Sequence, residues 1–228
     1  MKKTLLALLL LSTASVATVM HVGASQSASD AGPTAPPAPE LTREMFTEDK
    51  LAPTVKPPAY DITIVEYTDY QCPFCRKVHG ELKRLAAADK KVRIIYRDWP
   101  IFGDASVAAA RVAIASQWQG KHAAVHDRLM NTPRPMDDAA IKNAAIKAGV
   151  NWNRLQADLK ARKAEIDELL DRNGKQAEAL GLQGTPAFLI GNYLVEGGLD
   201  YEALKAAVHK ARTTPEPDLE PSAEPEGI

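Results

Sequence analysis

The chain has 228 residues, among them 16 prolines, 13 glycines and two cysteines, and 45% are apolar. That is enough for one ordinary domain with a core plus terminal extras, and it excludes wholesale disorder. Lys and Arg (28) balance Asp and Glu (29) at a formal charge of -1, which argues against a nucleic-acid or other polyanion binder, while two cysteines exclude a disulfide-dense scaffold and an all-cysteine zinc site.

Met1-Lys2-Lys3 is a short basic start, Thr4 to Leu11 is nearly continuous Leu and Ala, and Val22-Gly23-Ala24 offers a small-residue cleavage site. Residues 1–24 therefore read as a secretory signal peptide. The alternative is an uncleaved anchor, since Thr4 to Ala24 could nearly span a bilayer. Export implies a periplasmic or other extracytoplasmic, oxidising compartment. Residues 25–59 read as a Pro/Ala-rich linker and N-terminal extension. The folded part begins near residue 41.

Ile62 to Tyr67 is a β-branched and aromatic run, the pattern of a buried strand. Phe74, Val78, Leu82 and Leu85 then recur at helical spacing, and Val92 to Arg97 reads as a second strand. A βαβ unit with parallel strands closes this first half, residues 60–103. Ala-rich helical patterns fill 104–182, broken by Pro133, Pro135, Gly149 and Gly174, and predict an inserted helical subdomain. In the second half, 183–212, Pro186 to Ile190 reads as a strand, Gly191-Asn192 as a hairpin turn, and Tyr193 to Glu196 as the returning strand. Asp200 caps a last helix with Tyr201, Leu204 and Val208 on one face. Residues 213–228 are an acidic, Pro-rich tail.

Cys72-Pro73-Phe74-Cys75 stands where the first strand hands over to the first helix. At a helix N-terminus the Cys72 sulfur meets unpaired backbone N–H groups that favour a thiolate. Pro73 suits the first helical turn because its missing N–H would have no partner there. The spacing predicts an exposed attacking sulfur at Cys72 and a shielded resolving sulfur at Cys75. A structural disulfide or half of a zinc or copper site would use the same two residues. Glu66, six residues upstream in an apolar strand, is either a buried carboxyl of raised pKa that can relay the Cys75 proton, or a solvated edge residue. Gly184-Thr185-Pro186 precedes an apolar strand, and its X-Pro bond can be cis or trans.

These segments, together with Asp98-Trp99-Pro100-Ile101-Phe102-Gly103, resemble the DsbA-like branch of the thioredoxin superfamily over roughly residues 60–210. The resemblance implies an α/β thioredoxin-like fold with an inserted all-helical subdomain. It implies a protein thiol-disulfide oxidoreductase with Cys72 as nucleophile, Cys75 as resolving thiol and Glu66 as proton-relay carboxyl. Thr185 and the cis-proline Pro186 would take the substrate backbone by strand addition, and Pro73 and Phe74 complete the expected substrate-binding set. No cofactor is implied beyond a redox-active Cys72–Cys75 disulfide.

The implied partners are cysteine-containing exported proteins and a membrane redox protein that recharges the dithiol. Residues 25–59 look too short for an oligomerisation domain, which favours a monomer. Phe74 stands where the best-known oxidants of the family carry His, and Thr185 resembles isomerases and reductases as much as oxidases. The reading leans to the oxidising direction, with disulfide reductase or isomerase, or a Cu(I)-binding dithiol protein, as alternatives. His122 and His126, four apart, are expected to be solvated or packing residues. His79 is expected to be a partly exposed surface histidine. Arg76 either adds positive potential near Cys72 or sits on a solvated helix face.

Overall fold

The computed structural model describes residues 41–214. The expected signal peptide (1–24), the linker stretch 25–40 and the tail from residue 215 onward lie outside the described residues. A short helix α1 (Arg43–Thr47) and a two-residue strand β1 (Thr54–Val55) come first. Strand β2 (Ile62–Thr68), helix α2 (Pro73–Ala88) and strand β3 (Val92–Asp98) form the β-α-β unit, with β2 and β3 parallel. Five helices follow: α3 (Asp104–Ser116), α4 (His122–Met130), α5 (Asp138–Lys147), α6 (Trp152–Ala161) and α7 (Lys163–Ala179). The hairpin of β4 (Ala187–Ile190) and β5 (Tyr193–Glu196) and the last helix α8 (Tyr201–Thr213) complete the fold.

One sheet of order β1-β3-β2-β4-β5 organises these elements. Side chains alternate across it. Ile62, Ile64 and Glu66, with their β3 partners Val92, Ile94 and Tyr96, face a core completed by Val78, Leu82 and Leu85 of α2 and Leu204 and Val208 of α8. Val65, Tyr67 and Ile95 face the other way, into a core shared with Ala113 and Ile114 of α3, Leu129 of α4 and Leu169 of α7. Both faces of β2 and β3 are thus covered, which explains why neither strand alternates apolar with polar in sequence. Each buried Leu or Val contributes about 1.5–3 kcal/mol.

Local chemistry sets the element ends. Side-chain oxygens of Asp137, Asn151 and Asp200 accept backbone N–H bonds at the starts of α5, α6 and α8. Gly191 turns the β4–β5 hairpin at φ 61°, in the left-handed region that suits glycine. A Cβ there would also lie 3.1 Å from the Cβ of Ala211.

β1 falls within the stretch read from sequence as linker and extension. It pairs antiparallel with β3, Thr54 opposite Ile95, and two residues leave no periodicity to read. The segment before it is held by Arg97, which is fully buried. Its guanidinium donates to Asp49 Oδ2 at 2.7 Å, to the Phe46 carbonyl at 2.7 Å and to Asn173 Oδ1 at 3.1 Å. Arg172 donates to the same Asp49 oxygen at 2.8 Å.

Candidate active site

Cys72 is the N-cap of α2 and Pro73 its first residue. The loop before it is tied down by Asp69, whose Oδ1 accepts from Gln71 N at 2.7 Å and Ser106 Oγ at 2.6 Å. Asp69 Oδ2 accepts from Phe102 N at 3.1 Å, and its carbonyl accepts from Cys72 N at 3.1 Å. Phe74 projects outward, 62% exposed.

Both cysteines are thiols here. Cys75 N donates to Cys72 Sγ at 3.4 Å, and the Cys72 thiol donates to the Thr185 carbonyl oxygen at 3.2 Å. The Thr185-Pro186 peptide bond is cis. The fold therefore brings Cys72, Cys75 and the Thr185-Pro186 segment into one site.

Cys72 is only 1% exposed, which corrects the expectation of an open attacking sulfur. Part of the cover is the Thr185 segment, 113 residues away in sequence, which no local pattern announces. The Cys75 thiol donating toward Cys72 Sγ, with help from the first backbone N–H groups of the helix, outweighs burial and holds the Cys72 pKa down at about 6. Burial, reinforced by the adjacent sulfur, pushes the Cys75 thiol far above the ordinary range. One sulfur is thus ready as a thiolate at neutral pH and the other holds its proton.

Glu66 is fully buried, on the sheet face covered by α2. It sits between its register partners Tyr96 and Phe188. Burial, and secondarily the charge of Asp98, raise its pKa to about 8. The reading of Glu66 as a solvated edge residue is excluded.

Several residues near the site are placed otherwise than their local sequence suggests. His79 is buried rather than on the surface, because its Nε2 meets Asp127 Oδ1 of α4 at 2.9 Å. Arg76 is not a solvated helix residue. Its Nη1 donates to the carbonyls of Tyr70 and Leu129 at 3.4 and 3.1 Å, and its Nη2 donates to that of Thr132. Arg134 donates to the carbonyl of Gln71. His122 and His126 do take the packing role, one of the two expected, buried and tilted against Tyr96. Among the described residues no group of three or more His, Cys, Asp or Glu is arranged to hold a metal ion. Asp98, buried at the end of β3, is a second carboxyl in an apolar strand. The same sequence signal, a carboxylate in an apolar strand, marks Asp98 as it marks Glu66.

Residues 63–209 match the family described as the DSBA-like thioredoxin domain. The chain belongs to that family. It is 36% identical to a thioredoxin-like oxidoreductase from Silicibacter pomeroyi DSS-3, with a TM-score of 0.72 over 76% of this chain and 99% of that one. A periplasmic thioredoxin-like protein from Salmonella enterica serovar Typhimurium is 28% identical, with a TM-score of 0.66 over 75% of this chain and 95% of that one. Among curated proteins, the Na(+)/H(+) antiporter NhaA 1 of Salinispora arenicola (strain CNS-205) is 28% identical over 166 residues, 70% of this chain and 25% of that protein. The DSBA-like chain thus spans about a quarter of the length of the curated relatives it matches. No helix among its described residues is long and apolar enough to cross a membrane.

Proposed function

We propose that this chain is an exported thiol:disulfide oxidoreductase that exchanges the Cys72–Cys75 disulfide with cysteines of secreted proteins, as a monomer and in the oxidising direction. The observation that carries the reading is Cys72 Sγ at the N-terminus of α2, 3.4 Å from Cys75 N and 3.2 Å from the Thr185 carbonyl oxygen.

A substrate thiolate attacks Cys72 Sγ, the Cys72–Cys75 bond breaks, and Cys75 leaves as a thiolate that takes a proton relayed by Glu66. A second substrate thiolate then displaces Cys72, which leaves as a stabilised thiolate. The Thr185 backbone pairs with the substrate chain beside the mixed disulfide, with Pro186, Pro73 and Phe74 bordering it. A membrane redox partner restores the disulfide. The basic, apolar and small-residue pattern of residues 1–24 supports export. The antiporter activity named for the curated relatives is not carried over, because the match covers a quarter of those proteins.

Direction follows from which redox state the fold favours. A Cys72 pKa of about 6 stabilises the dithiol form and makes the disulfide a better oxidant, as in oxidants whose thiolate is favoured. Equilibration with glutathione should give a reduction potential less negative than about -200 mV. A value near -250 mV or lower would reverse the assignment to a reductase. Replacing Cys75→Ala should accumulate dithiothreitol-sensitive adducts between Cys72 and exported substrate proteins. Their absence, with tight stoichiometric Cu(I) binding instead, would favour a metal-handling dithiol.

A further inference from the structure

The sheet face that carries Glu66 holds a second buried carboxyl. Asp98 ends β3 two residues beyond Tyr96, the register partner of Glu66. None of the four oxygens of Glu66 and Asp98 has a well-aligned hydrogen-bond partner among the described residues. Arg97, the cation between Tyr96 and Asp98, points to the opposite face and is held there by Asp49 and Asn173. Two unpaired carboxyls in one apolar layer cannot both stay charged cheaply, so this pair is suited to hold and exchange a proton.

From Asp98 a line of buried polar rings leads outward. The Tyr70 hydroxyl lies alongside the Asp98 carboxyl and 2.9 Å from His126 Nδ1. The His126 ring meets His79 edge-on at 4.9 Å between centroids, a ring contact and not a hydrogen bond that leaves the buried His126 Nε2 open to take a proton when the His79 ring turns toward it, and lies tilted on Tyr96 at 4.4 Å. His79, Tyr96, Lys83 and Asp127 line a surface cavity of about 400 Å³. The other ionisable groups along this line are Asp69 before Tyr70, His122 stacked on His126 at 5.7 Å, and Asp127, which also accepts from Lys83 at 2.6 Å. Burial keeps His122 and His126 neutral, so His126 passes a proton on rather than storing charge.

We propose that Asp98, Tyr70, His126 and His79 form a proton conduit joining Glu66 to solvent in this cavity. The inference rests on the reading of Glu66 as the proton relay of Cys75. When Cys75 leaves the broken disulfide with the electron pair, Glu66 gives it a proton and becomes a carboxylate. A proton from the cavity enters through His79 to His126. The Nδ1–H of His126 then donates to the Tyr70 oxygen while the Tyr70 hydroxyl proton moves to Asp98, and Asp98 reprotonates Glu66. One proton enters from solvent per disulfide opened, and no electrons cross the line. In the reverse reaction the same groups release it.

The test compares full-chain wild type, Tyr70→Phe, His126→Asn, His79→Ala and Glu66→Gln by stopped-flow tryptophan fluorescence during exchange with a cysteine peptide. Rates are taken across pH in H₂O and D₂O, with the reduction potential measured alongside. Tyr70→Phe and His126→Asn should each slow the step roughly tenfold, less than the ~10²–10⁴-fold of losing a general acid or base outright because Glu66 itself remains, and change its solvent isotope effect, with the potential unmoved. Free imidazole should restore the rate of His79→Ala through the cavity. Wild-type rates and isotope effects in folded Tyr70→Phe and His126→Asn, while Glu66→Gln is slow, would overturn the conduit and leave the relay standing. A wild-type rate in Glu66→Gln would overturn the relay and the conduit with it. If Tyr70→Phe does not fold, His126→Asn and the imidazole rescue decide the matter.

Discussion

The thiol of Cys72 donates to the carbonyl oxygen of Thr185 at 3.2 Å, across 113 residues of sequence. Both halves of the fold meet at that bond. The first half supplies a sulfur at a helix start, and the second supplies backbone two residues before a strand. A substrate chain that paired with Thr185, as proposed, would thereby be delivered to the reactive sulfur.

The two sulfurs should titrate far apart. In the reduced protein, thiolate absorbance should rise with a midpoint near pH 6 for Cys72, and iodoacetamide should modify that residue alone at neutral pH. Because its folded pKa lies below the ordinary thiol value of 9.0, Cys72 stabilises the reduced fold fully above pH 9 and loses that contribution as pH falls through 6. A midpoint above pH 8 would remove the basis for an oxidising disulfide.

Glu66 acts on stability with the opposite sign. Its folded pKa is raised from 4.5 to about 8, so the fold binds a proton that the unfolded chain has lost. Stability is fully present below pH 4.5 and declines as pH rises through 8. Glu66→Gln should therefore leave thermal stability near pH 4 little changed. It should raise stability at pH 9 by a few kcal/mol, since each tenfold change in a protonation equilibrium is worth about 1.4 kcal/mol. Parallel melting curves of the two proteins from pH 4 to 9 would check it.

Asp69 holds the loop that presents Cys72. Asp69→Ala removes a buried acceptor from Gln71 N, Phe102 N and Ser106 Oγ, and bonds to a charged group are worth about 1.5–3 kcal/mol each. The three bonds share one carboxylate and do not add in full, and water can enter to replace part of them, so the expected loss is about 3 kcal/mol, or about 6–12 °C in Tm for a domain of this size. Denaturant and thermal melts measure it.

Asp49→Ala should cost about 3–5 kcal/mol, because it strips the fully buried Arg97 of its counter-charge. Proteolysis should then open the chain first near α1, the segment whose Phe46 carbonyl depends on the same guanidinium. Arg172→Ala should cost far less, since Arg172 is partly exposed and Arg97 keeps its partner.

Much of the fold was written locally. The β-branched runs at Ile62 and Val92, the Gly191 turn and the Asp200 cap each carry their conformation in their own residue types. The Cys72-Pro73 start of α2 does so too. What escaped depends on pairs distant in sequence. The burial of His79 requires Asp127, 48 residues on. The tie at Arg76 requires Leu129 and Thr132, and the cover on Cys72 requires Thr185. Such partners leave no periodicity, so a polar residue on an amphipathic helix reads as solvated until its contact is seen. Glu66 was legible because a carboxylate inside an apolar strand is costly anywhere. Asp98 belongs to the same class, but a carboxylate at a strand end reads equally well as solvated.

Arg76 and Arg134 bear on how this architecture can be taken apart. Arg76 clamps the Tyr70 carbonyl to the carbonyls of Leu129 and Thr132, and Arg134 reaches back to Gln71. The reactive loop is thus cast against the end of α4 and the turn after it. A miniature made by excising 104–182 would keep the CxxC sequence and lose the mould that shapes it. Conversely, grafting the α4 end from a relative should carry loop geometry along with it, making the helical insert a tuning element for the dithiol.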